Sequence, residues 1–384
     1  MPLCSRWHVA QPSSCRLLNT LPRFAALKSK KVDSYDVIIA GGGIAGVSIA
    51  LALRERGANV LVLERGEPGC EASGAAAGML AATDPETPPA LQPLALTAAR
   101  MYPEFITKLE RISGITTDFR RQGTIVLGEA SPSSNYRPLS EADIGELEPR
   151  LQTRGHAAFL VEEDCVDPVL LMKTIVAAAR LSGIHIRNNS KVERMRWTGT
   201  NVEVATIAGT FTGSAAVNCL GAWSGTPVRP RKGQMIYLRP QVPLLLEHVV
   251  RAPGAYIVPR SSGKVLVGTT VEDVGFDKSV DPVTTRRMHS SAARYIPGLE
   301  SVAIAESWAG LRPGTPDDLP VIGPTAEQKI FLASGLFRNG ILLAPAVADC
   351  VAALVLGKTP SLDIGPFSPA RFTVSNPLIQ CSSR

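Results

Sequence analysis

The sequence contains no CxxC pair, no cluster of histidines and cysteines at metal-ligand spacing, and no apolar run long enough to span a membrane. Its seven cysteines (Cys4, Cys15, Cys70, Cys165, Cys219, Cys350 and Cys381) are odd in number and widely spread. Disulfide scaffolds use even, closely spaced sets, so this usage fits a reducing compartment and a cytoplasmic protein. The five histidines are scattered, and no metal is expected. The most apolar stretch, 341–357, is interrupted by Pro345 and Asp349. It is shorter than the ~20 residues a bilayer requires and reads as a buried helix. Internal repeats are also missing.

Acidic residues are absent from the first 31 positions, which carry Arg6, Arg16, Arg23, Lys28, Lys30 and Lys31. The whole chain has a formal net charge of +6, so without those six cations the remainder is neutral. Basicity therefore gives no argument for a nucleic-acid partner. Residues 1–33 read as a basic leader outside the fold, and a targeting segment, a tail and a mis-assigned start all remain open. The leader lacks the continuous apolar core of a secretory signal. At 384 residues the chain is long enough for one large core or two medium ones.

What is present begins with YDVIIA (35–40), a β-branched run suited to a central parallel strand. GGGIAG (41–46) follows at once, then an apolar helix over 44–56 closed by Gly57, then a second buried strand, NVLVLE (59–64). A strand, a GxGxxG turn, a helix and a second strand ending in an acid make a βαβ unit of the dinucleotide-binding kind. Gly41 permits the tight turn, Gly43 lets the backbone approach a pyrophosphate, and Gly46 allows close helix–strand packing. Glu64, 23 positions after Gly41, is placed to grip a ribose hydroxyl or to form a surface ion pair. GCEASGAAAGML (69–80) packs an unbroken run of seven small residues, 72–78, into one loop. Such a loop lets a large planar group come close, or forms a tight helix start between domains. Ser73 is placed to donate to a phosphate or to cap the following turn.

Downstream, TDPETPPALQP (83–93) reads as a proline-rich loop, followed by a helix over 94–112, a strand at 124–128 and a helix near 140–148. DPVLLMKTIVAAARLSGI (167–184) opens on an Asp-Pro cap and closes at Gly183. A strand meander over 191–223, four β-rich segments over 234–270 and a helix over 282–294 follow. Near the far end, WAGLRPGTPDDLPVIGP (308–324) and IFLASGLFRNGILLAPA (330–346) place Arg312 and Arg338 in apolar, glycine-punctuated segments. A buried guanidinium without a partner costs several kcal/mol. Either carboxylates such as Asp317 or Asp318 pair with these arginines, or a bound anion does. Arg338 alternatively braces the entrance of the helix that Asn339 and Gly340 open.

Taken together, GGGIAG, ASGAAAGML, CLGAWS (219–224), VRPRKGQM (228–235), YIVPRSSGKVLVGTT (256–270), GLRPGT (310–315) and FRNGILLAP (337–345) resemble the glycine oxidase branch of the D-amino-acid oxidase family of FAD-dependent oxidoreductases. The resemblance runs from about residue 34 to 360 in the family's order. It implies an α/β fold in which a Rossmann-like FAD-binding domain carries an inserted substrate domain built on a mixed, largely antiparallel β-sheet. The boundaries expected are 34–85, 150–224 and 306–365 for the FAD-binding domain, 86–149 and 225–305 for the substrate domain, and 366–384 as a tail.

By the same resemblance Ile44, Ala45, Glu64, Arg65, Ala72, Ser73, Ala77, Gly78 and Met79 hold FAD, with Val192 meeting the adenine. Residues 336–342, with Asn339, Gly340, Ile341 and Leu342, form the turn and helix start under the flavin. Arg312 binds the substrate carboxylate, Arg338 lies beside it and Tyr256 offers a hydroxyl to the same group. The FAD is expected to be non-covalent, as no cysteine has an attachment context. The reaction implied is oxidation of glycine or another small amino acid by hydride transfer from Cα to flavin. The imine gives an oxo acid and ammonia, and dioxygen gives hydrogen peroxide. The imine from glycine would feed thiazole formation in thiamine biosynthesis, which makes a thiazole synthase a candidate partner; a homo-oligomer is left open. A dehydrogenase for D-amino acids or sarcosine-like amines that reduces a quinone is an alternative. A flavin-binding partner protein without turnover is another. One departure is Gly254, which stands where some family members carry a pocket histidine.

Overall fold

The computed structural model describes residues 34–129, 135–242 and 244–372. The leader 1–33 and the end of the expected tail, from 373 on, lie outside the described residues. Among the described residues, two eight-stranded sheets, a two-stranded pair and their covering helices make up the fold.

The first sheet runs Val321–Pro324, Ile330–Ser334, Gly209–Asn218, Tyr35–Ala40, Val60–Leu63 and His185–Arg187, with Val192–Trp197 and Val202–Thr206 attached through Gly209–Asn218. Its central ladders are parallel, from Ile330–Ser334 across to His185–Arg187. Every residue of Val60–Leu63 is buried, as an all-apolar strand covered on both faces should be. Helix Ile44–Glu55 packs on one face with helix Gly340–Val355, and both share a core with Val37, Ile39, Val60, Val62 and Val217. Gly57, at a φ of +91°, stops the first of these helices.

The second sheet runs Ile304–Gly314, Arg229–Leu238, Val265–Gly268, Ala255–Pro259, Val249–Ala252, Thr124–Gly128, Ala157–Val161 and Arg137–Leu139. Its one parallel ladder joins Val249–Ala252 to Thr124–Gly128; the other pairings are antiparallel. The strand period of two splits its side chains between two environments. Ile236, Leu238, Ile257 and Val267 pack outward against Met288, Ala292 and Tyr295 of helix Pro282–Tyr295. Met235, Val258, Leu266 and Trp308 face the first unit and meet Ala75 and Ala77.

Three segments fall elsewhere than the sequence division places them. Strand Ile304–Gly314, expected with the first unit from residue 306, is the edge of the second sheet, because ten residue pairs bind it to Arg229–Leu238. Strand Ala157–Val161 also joins the second sheet. Helix Gln92–Ser113, expected within the second unit, buries Leu94, Ala98, Tyr102, Ile106 and Leu109 in the core of the first. Helical periodicity shows that an apolar stripe exists; it does not say which sheet covers it.

Candidate active site

The GxGxxG turn is built by close approach. Gly41 has a φ of +110°, and a Cβ on it would stand 2.7 Å from the carbonyl carbon of Cys219 and closer still to its oxygen. A Cβ on Gly46 would overlap the carbonyl of Gly41 and stand 3.2 Å from Ile39 Cγ2. Gly43 precedes the first helical residue and provides no side-chain cap, and the first turn carries no acid. The N–H of Ile44 donates to Ser73 Oγ at 3.0 Å. That leaves the Ser73 hydroxyl proton available to a ligand. Glu64 accepts from the N–H of Gly42 at 2.8 Å and of Gly66 at 2.9 Å, which fixes its carboxylate against the glycine turn. Arg65 pairs with Glu71, and its guanidinium carbon stands 3.5 Å from the Trp223 ring centroid. Val192 is buried just past Ser190, whose N–H donates to Glu64 O at 2.7 Å.

A cavity of about 760 Å³ opens between this turn and the second sheet. Gly43, Ile44, Ala45, Ala72, Ser73 and the run Ala75–Met79 line one part of it. Asn339, Gly340 and Ile341 line another, at the start of helix Gly340–Val355. This helix has no side-chain cap and no acid in its first turn, so its first N–H groups and its dipole face the cavity free to meet negative charge. Tyr102, fully buried, donates to Ile341 O at 2.6 Å and holds that turn in place. Gly41, Gly46, Glu64, Arg65, Val192 and Leu342 do not border this cavity.

The second sheet supplies the other wall. Arg251, Tyr256, Gly268, Met235 and Trp308 are successive register partners across five strands and so share one face. Arg312, two pairs along from Gly310 on the edge strand, points to the same side. Missing Cβ atoms make room here as well. A Cβ on Gly268 would lie 2.6 Å from the Tyr256 hydroxyl, one on Gly233 would lie 2.5 Å from Arg312 Cζ, and one on Gly310 would lie 2.6 Å from Ala75 Cβ.

Arg312 is half-buried and donates to Thr270 O at 3.1 Å and Thr269 Oγ1 at 2.9 Å. Among the described residues it makes no ion pair; Asp317 is engaged by Arg371 at 2.8 Å. Burial holds its pKa below the usual guanidinium range, with Arg338 and Arg231 adding to the effect and Tyr256 opposing it. The Tyr256 phenol is pushed up by burial, and Arg312 opposes that rise. Arg338 pairs with Glu86 of the proline-rich loop and also lines the cavity. An arginine that retains its charge next to two other cations, with no carboxylate against it, is set to receive an anion.

Sequence reasoning missed one residue that lines the cavity and two that brace its small-residue loop. Arg251 lines the cavity and is tied to Asp84 at 2.7 Å, Glu163 at 2.9 Å and the Tyr136 hydroxyl at 3.1 Å. Arg260, 3% exposed, donates to Ala77 O at 2.5 Å and Val166 O at 3.2 Å, and so clamps the small-residue loop to the second sheet. Trp308 Nε1 donates to Ala75 O at 3.1 Å and does the same from the edge strand Ile304–Gly314. Glycines inside the strands at 233, 268 and 310 were the available signal, since a strand glycine marks close approach. Arg251 and Arg260 left none.

Residues 36–354 match the model of the family described as FAD dependent oxidoreductase, and the chain belongs to that family. The protein is thus an FAD-dependent oxidoreductase of α/β fold. The chain is 33% identical to the glycine oxidase of Geobacillus kaustophilus, over 88% of this chain and 97% of that protein. It is 34% identical to the bifunctional protein ThiO/ThiG of Trichormus variabilis, over 88% of this chain and 55% of that one. The crystal structure of the Geobacillus glycine oxidase superposes with a TM-score of 0.84 at 32% identity, covering 89% of this chain and all of the other.

The residues present fit the cofactor. The glycine cradle has no room for a Cβ at 41 or 46, two uncapped helix starts can meet its negatively charged groups, and a loop of alanines and glycines borders the space between. Among the described residues no helix is long and apolar enough to cross a membrane, and no group of three or more His, Cys, Asp or Glu could hold a metal ion.

Proposed function

We propose that the protein oxidises glycine or another small amino acid to the corresponding imine, which hydrolyses to an oxo acid and ammonia, and that dioxygen is the final acceptor, giving hydrogen peroxide. The observation that carries this reading is Arg312, a cation in the wall of the cavity with hydroxyl and carbonyl partners and no carboxylate. Its fork matches the α-carboxylate of an amino acid, a contact of ~1.5–3 kcal/mol that fixes orientation as well as affinity. Tyr256, kept neutral by burial, adds a hydroxyl beside it. Holding the carboxylate there would orient the amino acid for reaction, and FAD held by the glycine turn and the small-residue loop would supply the hydride acceptor. Arg338 contributes positive charge while tied to Glu86. The N–H groups of Gly340 and Ile341 would stabilise negative charge at the helix start.

On this reading Glu64, Arg65 and Val192 hold the adenine and ribose end outside the cavity. Residues 34–85, 150–224 and 306–365 would then supply most of the cofactor contacts, except for the strand segments that join the second sheet. The glycine oxidase relatives support the reaction class, and the ThiO/ThiG relatives support thiazole formation in thiamine biosynthesis as its destination, with a thiazole synthase as partner. Cys165, Cys219 and Cys350, buried as thiols outside any disulfide, support a reducing, cytoplasmic setting.

The test is anaerobic addition of glycine, sarcosine and small D-amino acids to the purified flavoprotein, followed by the same panel in air with peroxide detection. Bleaching of the flavin absorbance with peroxide release is expected. Turnover with an artificial dye alone and no peroxide would make the protein a dehydrogenase, and no bleaching with any amine would remove the enzyme reading.

A further inference from the structure

Arg312 is aimed by two threonines that are themselves fixed by groups outside the cavity. Its two acceptors, Thr269 Oγ1 and Thr270 O, lie just past the end of strand Val265–Gly268. Gln234, on the neighbouring strand, fixes this stretch. Its N–H donates to Thr270 Oγ1 at 3.0 Å, and its carbonyl accepts from Thr269 Oγ1 at 3.1 Å. Its side-chain amide donates to Glu272 Oε1 at 2.8 Å, and Thr270 Oγ1 donates to the same oxygen at 2.5 Å. Lys232, 4% exposed, stands 3.5 Å from Glu272 Oε2, while Lys232 and Glu272 exchange two backbone hydrogen bonds of 2.9 Å. Gln234 is itself 1% exposed, and its carbonyl Oε1 accepts from the N–H of Asp281 at 2.7 Å.

Burying a lysine and a glutamine within a sheet is unfavourable unless each polar atom is paired, and here the pairs converge on the two residues that grip Arg312. Glu272 is the node: one of its oxygens holds Thr270 and Gln234, and the other faces Lys232. The Thr270 hydroxyl, the Gln234 amide and Lys232 hold its carboxyl below the usual range although burial raises it. Neither Glu272 nor Gln234 borders the cavity.

We propose that Glu272, acting through Thr270 and Gln234, is a positioning residue that sets the direction of the Arg312 guanidinium, so that affinity for a carboxylate depends on a side chain that touches neither substrate nor cofactor. The proposal rests on the reading of Arg312 as the carboxylate clamp.

The experiment measures glycine KM and kcat, together with acetate binding read by perturbation of the flavin absorbance, in holoenzyme carrying Glu272→Ala, Glu272→Gln or Arg312→Ala. Glu272→Ala is expected to raise KM and weaken acetate about tenfold or more, with kcat at saturation within about twofold of the parent and the FAD spectrum unchanged. Glu272→Gln keeps an acceptor for Thr270 and Gln234 and should recover most of that loss. Arg312→Ala with raised KM beside Glu272→Ala with parental KM and acetate affinity would overturn the proposal and leave the clamp standing. Parental acetate affinity in Arg312→Ala would overturn the clamp itself. A loss of FAD in Glu272→Ala that accounts for the change in KM would make the role structural and overturn it too. If Glu272→Ala does not fold, Thr269→Val reads the last link, with Thr269→Ser as the rescue. Parental acetate affinity in Thr269→Val would overturn the proposal.

Discussion

Replacing Gly233 with alanine separates the site from the fold. Gly233 faces Gly310 across the strand pair, and the Arg312 guanidinium lies over it. A Cβ there would stand 2.5 Å from both Cζ and Nη2. Ordinary contact begins near ~3.5 Å, so the head group must move by about 1 Å or more. The atoms that have to give belong to the tip of a long side chain, not to backbone, so the strand pair survives. The stability cost should stay within ~1 kcal/mol. The site has no such tolerance. A bidentate contact of ~1.5–3 kcal/mol is lost or bent, which corresponds to a rise in KM of about 10- to 150-fold. A reacting carbon displaced by about 1 Å lowers kcat as well. Steady-state peroxide release with the best amino acid of the panel, acetate titration, FAD content and a thermal melt report these four quantities separately. A Gly233→Ala protein with parental KM and acetate affinity would refute the placement of Arg312.

Three further outcomes are expected. Gly41→Ala combines a φ of +110° with a backbone clash at Cys219, so a loss of more than ~3 kcal/mol is expected, seen as a lower Tm and poor FAD retention; a holoprotein of parental Tm would contradict it. Arg260→Met leaves Ala77 O and Val166 O without their buried donor, at ~1–3 kcal/mol each, and should weaken FAD binding while the KM of the FAD-saturated enzyme stays near parental. Burial raises the Tyr256 phenol above its ordinary value, so the neutral form persists to higher pH. The KM–pH profile should show no step from it below pH ~9, and Tyr256→Phe should raise KM by roughly 2- to 10-fold at every pH; a step that disappears in the phenylalanine variant would refute this.

The elements legible in the sequence are those whose cause is local. Strand, glycine turn, helix and strand over 35–63 follow from apolar runs and from glycine at positions of forced φ, all within one βαβ unit. The helix Pro168–Leu181 shows itself through the Asp167 cap and Pro168 at its first position. The edge strand Ile304–Gly314 was not legible: its two glycines, Pro313 and Arg312 resemble a loop, and only pairing with Arg229–Leu238 makes it a strand. The two arginines were visible as anomalies, but their partners were not. Asp317, the nearby acid in sequence, belongs to Arg371, while Arg338 takes Glu86 from a loop 252 residues away in the chain.

By itself the sequence determined the cradle, since its glycines are required by backbone geometry that neighbouring residues impose. It also determined that two cations near the far end needed explaining. The tertiary structure decided the rest. It set Arg312 against two threonines with no carboxylate, closed the small-residue loop under Trp308 and Arg260, and lined up Arg251, Tyr256, Gly268, Met235 and Trp308 on one face. Most of those contacts join residues far apart in the chain, Trp308 and Ala75 by 233 positions and Arg260 and Ala77 by 183, and their register depends on sheet pairing and packing.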